Sequence, residues 1–316
     1  MLQIDNLNET VFHGSITVEN NPNMLGGKTV LFLGTGASEM IPNPMCGCDL
    51  CRRVLRSSDP REKRCRSALL LDEQSLIDCG PDVISACARY GASLEQLKRI
   101  FLTHSHSDHF STATLENLQM CITEAPKIDI YLSKAAWEGM QKLGGVLVAQ
   151  DYTVFAKTAQ RWPTRCNFIP MELYTDYPVG DMIVSAVEGR HSGSFAGENS
   201  LNYLFRKDGK NTFYACDTGL FFPETLAYLK QFTLDTLIIE FTFGLAQLPR
   251  DGKHLTLTLL QETLEALKAQ GTITKETKIY ATHIGHKGKL MHEDCNLALK
   301  AIWDGNIETA YDGMRI

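Results

Sequence analysis

Short apolar runs recur along the chain, and most of them stop abruptly at a polar cluster. TVLFL, from Thr29 to Leu33, meets GTG. Ser67–Leu71 and Ser75–Asp78 flank the polar Asp72–Gln74 and predict a hairpin. Arg99–Leu102 runs into THSHSDHF, and Met182–Val187 (MIVSAV) into EGRHSGS. Leu201–Phe205 and Asn211–Ala215 predict a second hairpin that ends at CDTG. Thr236–Glu240 and Lys278–Ala281 are further strands, the latter ending at THIGH. SITVE (Ser15–Glu19) and Lys127–Leu132 (KIDIYL) complete the strand set. Helical spacing is read over Asp82–Tyr90, Thr112–Met120, Phe222–Lys230, Leu257–Gln270 and Asp294–Ala301. Ser133 is a predicted cap for KAAWEGMQKL, Thr256 for the Leu257 helix, and Ser93 with Gln96 for a short helix over Ser93–Lys98. The stretch from Asp49 to Cys65 is basic and helical in part.

Strands pair early as hairpins and later alternate with helices. This implies an α+β fold with two sheets, helices outside, and the chemistry gathered where strands end. Residues 1–316 read as one domain, with no internal repeat or low-complexity tract. Residues 144–170 fit no pattern and are expected to be an insertion or lid.

Composition narrows the functions. Hydrophobic residues make up 44% and charged residues 22% of the 316, an ordinary globular mix. The net charge of −6 gives no global attraction to a nucleic-acid polymer or an anionic membrane, so neither is an expected partner. The start of the chain lacks a basic segment followed by an apolar block, and ten scattered cysteines do not make a disulfide scaffold. A cytoplasmic, reducing setting is the expectation. Cys65, Cys79, Cys87, Cys121, Cys166, Cys216 and Cys295 are expected to be small buried apolar residues.

THSHSDH is different. It packs His104, His106, Asp108 and His109 into six residues. Four such groups on one short loop can hardly all reach one ion, so two metal ions fit better than one. Imidazole with carboxylate suits zinc, iron or manganese. Further ligands are expected at other strand ends, where His191, Asp217 and His283 each follow a readable strand. A second cluster, Cys46, Cys48 and Cys51 in CGCDLC, is open to three readings: free thiols, a redox pair, or three ligands of a metal site in want of a fourth.

The HxHxDH loop followed by isolated His, Asp and His resembles the metallo-β-lactamase fold superfamily. GTGASEMIPNPMCGCDLC resembles the branch that contains the cyclic-ribose phosphodiesterase of bacterial phosphonate breakdown. The resemblance implies a four-layer αββα sandwich with a dinuclear site at one edge. It implies that His104, His106 and His191 hold one metal, that Asp108, His109 and His283 hold the other, and that Asp217 bridges them. It also implies that His286 joins Cys46, Cys48 and Cys51 around a structural zinc, stapling the N-terminal loop to the loop of His283. His254, just before the Leu257 helix, stands where the resembling enzymes carry an active-site histidine and is the candidate proton donor. The implied activity is hydrolysis of a small phosphate diester, cyclic ones included, by water activated between two divalent ions (manganese or zinc, iron also fitting). A lactonase or thioesterase on the same site, and a protein like those of pyrroloquinoline-quinone biosynthesis, are the alternatives. Dimerisation is common in the superfamily, so a homodimer is compatible with the resemblance. The GTG at 34–36 lacks the features of a nucleotide-binding loop and reads as a tight turn beneath the metal site. Ser192 and Ser194 read as turn residues, Arg66 and Arg190 as salt-bridge partners, and His13 and His292 as surface residues.

Overall fold

The computed structural model describes residues 30–118, 127–149, 166–247 and 252–316. The predicted strand at Ser15–Glu19, together with His13 and Cys121, lies outside them. So does the centre of the expected 144–170 insertion, whose flanks belong to a helix and a strand of the fold.

The first sheet has six strands in chain order: β1 (Leu31–Gly34), β2 (Ala68–Asp72), β3 (Ser75–Ile77), β4 (Arg99–Phe101), β5 (Ile128–Ser133) and β6 (Cys166–Met171). The second has seven, also in chain order: β7 (Asp176–Val179), β8 (Met182–Ser192), β9 (Asn199–Lys207), β10 (Lys210–Ala215), β11 (Thr236–Glu240), β12 (Lys278–Thr282) and β13 (Ile307–Thr309). In the first sheet the pairing changes from antiparallel to parallel at β3 and β4. In the second the same change comes at β10 and β11. Parallel neighbours need crossovers, and helices supply them. Seven helices are described: α1 (Asp49–Arg56), α2 (Val83–Tyr90), α3 (Thr112–Asn117), α4 (Lys134–Ala149), α5 (Pro223–Leu229), α6 (Leu257–Ala269) and α7 (His292–Ile302).

Three apolar clusters define four layers. Leu76, Ile100, Leu102 and Ile130 of the first sheet pack on Val83, Leu115 and Met140 of α2, α3 and α4. Ile239, Ala281 and Phe213 of the second sheet pack on Val54, Leu229, Leu260, Leu264 and Leu299 of α1, α5, α6 and α7. Between the sheets lie Phe32, Ile77, Phe101 and Tyr131 from one side and Val184, Tyr203, Phe205 and Tyr214 from the other. Phe101 stacks on Tyr131 with centroids 4.9 Å apart and meets Phe205 edge-on at 5.0 Å. Each such pair adds about 0.5–1.5 kcal/mol beyond its buried area. The buried Tyr203 hydroxyl donates to the Leu102 carbonyl at 2.6 Å, and the Leu201 N–H donates to the Thr103 carbonyl at 2.7 Å. The second sheet thus grips the first where β4 ends and THSHSDH begins. This is the αββα sandwich.

Four expectations need correction. Ser93–Lys98 is not a helix: Ser93 Oγ accepts the Glu95 N–H in a local turn, and the segment is too short to hold a helix against the pull of β4. β8 does not stop at Val187 but runs to Ser192, with a register shift between Glu188 and Ser192 that re-aims its end. His292 is buried, not on the surface. Its backbone N–H donates to Glu62, and its Nδ1 accepts from Arg64 at 3.0 Å. Arg64 also reaches Thr35 and the Ala310 carbonyl, while Asp312 accepts from Thr35 and the Cys65 N–H. A buried charged network therefore joins the chain's final residues to the GTG loop. In that loop a Cβ on Gly34 would sit 1.9 Å from the Arg66 carbonyl oxygen, so the glycine permits close backbone approach rather than a turn.

Candidate metal centre

The chemistry-bearing side chains come from strand ends of both sheets. β4 delivers His104, His106, Asp108 and His109, β8 delivers His191, β10 delivers Asp217, and β12 delivers His283. Asp217 and His283 have φ of 50° and 56°, the left-handed region that L residues occupy at a cost of about 1 kcal/mol or more. Asp78, at the end of β3, does the same with φ 61°. At these three positions the chain turns sharply out of a strand and throws the side chain over the sheet edge.

Two donor groups result, and Asp217 and His283 also form a third with Glu240 and His254. One ring nitrogen each of His104, His106 and His191 lie within 4.8 Å of one another, and so do donor atoms of Asp108, His109, Asp217 and His283. Asp217 Oδ2 stands 2.9 Å from His109 Nε2 and 3.5 Å from His104 Nε2, between the two groups. Four of the polar atoms here, His109 Nε2, His191 Nδ1, Asp217 Oδ1 and His283 Nε2, are buried and make no oriented hydrogen bond. Buried polar atoms are ordinarily hydrogen-bonded, so imidazole and carboxylate atoms that meet only as close ion-pair contacts, such as His109 Nε2 with Asp108 Oδ2 and Asp217 Oδ1 with His283 Nδ1, both at 3.1 Å, fit a set of metal donors. Outer groups fix the rings. Asp78 Oδ2 is 2.7 Å from His109 Nδ1, Thr103 Oγ1 is 3.0 Å from His104 Nδ1, and Thr242 Oγ1 is 2.9 Å from His283 Nδ1. Burial pulls the His191 imidazole down to about 4 and His104 well below its ordinary value, which keeps both neutral and able to ligate.

His254 reaches the same place. Its Nδ1 lies 2.9 Å from Glu240 Oε2 and 3.2 Å from Asp217 Oδ1. Burial alone would lower its pKa, but the Glu240 carboxylate and then Asp217 outweigh that and push it up to about 11. Burial raises Glu240, and His254 pulls it back to about 2. Glu240 is fully buried and also accepts from the Thr218, Gly219 and Leu255 N–H groups. Thr256 caps α6 directly behind this histidine.

Glu240 and Asp78 were not among the candidates read from the sequence. Glu240 had a signal: it closes the apolar run TLIIE as Asp217 follows NTFYAC. Asp78 had the same one, a carboxylate where β3 ends.

About the cysteine cluster, Cys46, Cys48, Cys51 and His286 present donors within 4.8 Å of one another. His286 Nδ1 is 3.4 Å from Cys51 Sγ and 3.8 Å from Cys48 Sγ. Glu39 Oε1 stands 3.6 Å from the other ring nitrogen. Burial pushes the Cys51 thiol up to about 11. Three sulfurs and an imidazole are a closed tetrahedral zinc donor set. Of the other residues singled out, Arg66 pairs with Asp82, Arg190 lies over the Phe222 ring, and Ser194 donates to the Ser105 carbonyl. The remaining described cysteines singled out as apolar, Cys65, Cys79, Cys87, Cys166, Cys216 and Cys295, are buried.

The family model of the beta-lactamase superfamily domain matches residues 74–284, which hold every candidate donor except the three clustered cysteines and His286. The chain belongs to the beta-lactamase superfamily. Among solved members of this fold, a diphosphatase from the PhnP family superposes with a TM-score of 0.67 at 22% identity, covering 91% of this chain and 96% of that one. Zn2+-bound PqqB from Methylobacterium extorquens superposes with a TM-score of 0.66 at 15% identity, covering 91% and 99%. At these identities the likeness is one of fold. An octanoyltransferase of Porphyromonas gingivalis is 37% identical over 83 residues, a stretch of 25% of this chain and 16% of that protein. The chain therefore spans a small part of that relative. Among the described residues no helix is long and apolar enough to cross a membrane.

Proposed function

We propose that the protein is a metal-dependent phosphodiesterase that hydrolyses a small phosphate diester, cyclic esters included. The observation that carries this reading is the shared position of Asp217, which touches the donors of both groups and His254 at once. His104, His106 and His191 would hold one divalent ion, Asp108, His109 and His283 a second, with Asp217 common to both. Zinc and manganese both suit these donors, and iron is compatible. Bound there, two such ions supply Lewis acidity to a phosphoryl group and lower the pKa of water.

The chain's own residues do the rest. Asp217 spaces the two groups. Asp78, Thr103 and Thr242 orient the imidazoles that face them. Glu240 holds His254 at Nδ1 and keeps the ring protonated, so the proton available to a leaving alkoxide is the one on Nε2. A protonated imidazole beside two cation sites suits the spread negative charge of a phosphoryl group better than the uncharged carbonyl of a lactone or thioester. Lys253 on the rim, hydrogen-bonded to Ser192, adds an exposed cation beside the site. The PhnP-family likeness supports phosphorus chemistry, and the zinc-bound neighbour supports zinc in this fold. Cys46, Cys48, Cys51 and His286 would hold a structural zinc.

The test is a panel of bis-p-nitrophenyl phosphate, 2′,3′-cyclic nucleotides, ribose cyclic phosphate, lactones and thioesters, run with zinc and with manganese. Turnover of the diesters is expected, with loss in D217A. Turnover of lactones or thioesters alone would overturn the reading.

A further inference from the structure

Glu198 lies outside the donor set, yet it is only 2% exposed and sits between the two chain segments that carry one histidine trio. The Ser105 N–H donates to its Oε1 at 2.7 Å, and the Ser105 hydroxyl donates to its Oε2. The Phe195 N–H donates to Oε2 at 3.2 Å. Ser105 stands between His104 and His106. Phe195 stands four residues after His191, in the loop that returns to β9. A second layer doubles the link: the Ser194 N–H donates to Ser105 Oγ at 3.1 Å, and the Ser194 hydroxyl to the Ser105 carbonyl at 3.0 Å. The loop is also closed on itself, through the Gly193 N–H to the Glu198 carbonyl at 3.0 Å. A Cβ on Gly193 would stand 2.1 Å from the Glu198 carboxyl carbon, so the loop leaves room for this side chain and no other at Gly193.

We propose that Glu198 is a positioning residue, a buried clasp that holds the His104–His106 loop and the His191 strand end at the spacing a metal ion needs. The inference rests on the metal-centre reading above. A carboxylate offers acceptors only, and all three of its partners are donors. Two of those donors are backbone N–H groups that cannot reverse. A glutamine in either orientation would therefore turn an NH2 toward the Ser105 or the Phe195 N–H and open one side of the clasp. The clasp acts on the trio and not on the Asp108–His109–Asp217–His283 group, whose outer partners are Asp78 and Thr242.

The test is calorimetric titration of Mn2+ into metal-stripped wild-type and E198Q protein. Mn2+ is chosen because soft thiolates disfavour it, so the cysteine cluster stays silent. Wild-type protein taking two equivalents supports the metal-centre reading. In E198Q one equivalent is expected to weaken by about 10- to 100-fold, as outer-sphere partners commonly do, while the other moves little. Equal affinities for both equivalents in E198Q and wild type would overturn the clasp and leave the metal centre standing. Should E198Q fail to fold by thermal melting, S105A gives the same reading from the other side. It removes the hydroxyl's bonds to Glu198 and from the Ser194 N–H but leaves the Ser105 N–H on Glu198, and a smaller loss confined to one equivalent is expected. Unchanged binding in S105A would then overturn the proposal.

Discussion

Among the described residues the protein carries two regions of metal-type donors, and they are built differently. The His/Asp centre draws from four strand ends in two sheets, and its donors are mostly buried and braced by Asp78, Thr103, Thr242 and Glu240. The cysteine cluster draws three donors from Cys46–Cys51, which run from a loop into the first turn of α1, and a fourth from His286, and three of the four are only half-buried. The sandwich anchors the first set of donors at strand ends backed by buried partners. The second is anchored by the start of α1, where Leu50 and Val54 enter the core, but its Cys46, Cys48 and His286 lie nearer the surface. The general lesson is that a site laid across a sheet edge borrows its rigidity from the core, whereas one built on a single helix start and a turn leans more on the metal. The two meet in THIGH, where His283 and His286 stand three residues apart.

The contrast can be broken in four places. The largest effect is expected from D217A. It removes the shared carboxylate and should cut diesterase kcat by roughly 100- to 1,000-fold while the melting temperature of the metal-free protein changes little. C51A should do the reverse, losing about one zinc per chain and lowering thermal stability by several degrees. Full zinc content in C51A would remove the structural-site assignment. E240Q should lower kcat by about 10- to 100-fold, as removal of a buried outer partner commonly does, and move the alkaline limb of the pH–rate profile to lower pH, because the His254 proton is then held less tightly. An unmoved alkaline limb would assign that limb to another group.

The smallest effect concerns His292. Burial, and then Arg64, lower its pKa from 6.5 to about 4. A histidine neutral in the folded chain and protonated in the unfolded one loses stability as pH falls through that window. H292N should therefore show a shallower decline in thermal stability between pH 6.5 and 4 than wild type. Parallel declines would mean that His292 does not titrate there.

The sequence made the fold and the contiguous donors legible because both are local patterns. Apolar runs of strand length are cut by polar clusters, and four ligating side chains sit in one loop. Asp217 and His283 were legible as residues after strands, and His191 as one near the end of a strand that runs on through it. The braces were not, because an acidic residue closing a strand looks the same whether it faces water or an imidazole: Asp78 and Glu240 are marked only by the histidines that fold against them, His109 and His254. Glu198 is harder still, since its partners Ser105 and Phe195 come together only when β8 and β9 fold back over β4. His292 was misread for a related reason. It opens a helix, where polar residues are common, and its buried partner Arg64 is 228 residues away.

In the proposed centre Asp217 joins two ion sites into one. Metal content of the purified wild type, D217A and C51A proteins, measured by inductively coupled plasma mass spectrometry after loading and desalting, tests it directly. Three ions per chain in wild type, two in C51A with diester hydrolysis partly retained, and fewer than three in D217A with hydrolysis lost are expected. A wild-type chain that holds a single ion besides the cysteine-bound one, or a D217A chain that keeps all three and still turns over diesters, would contradict it.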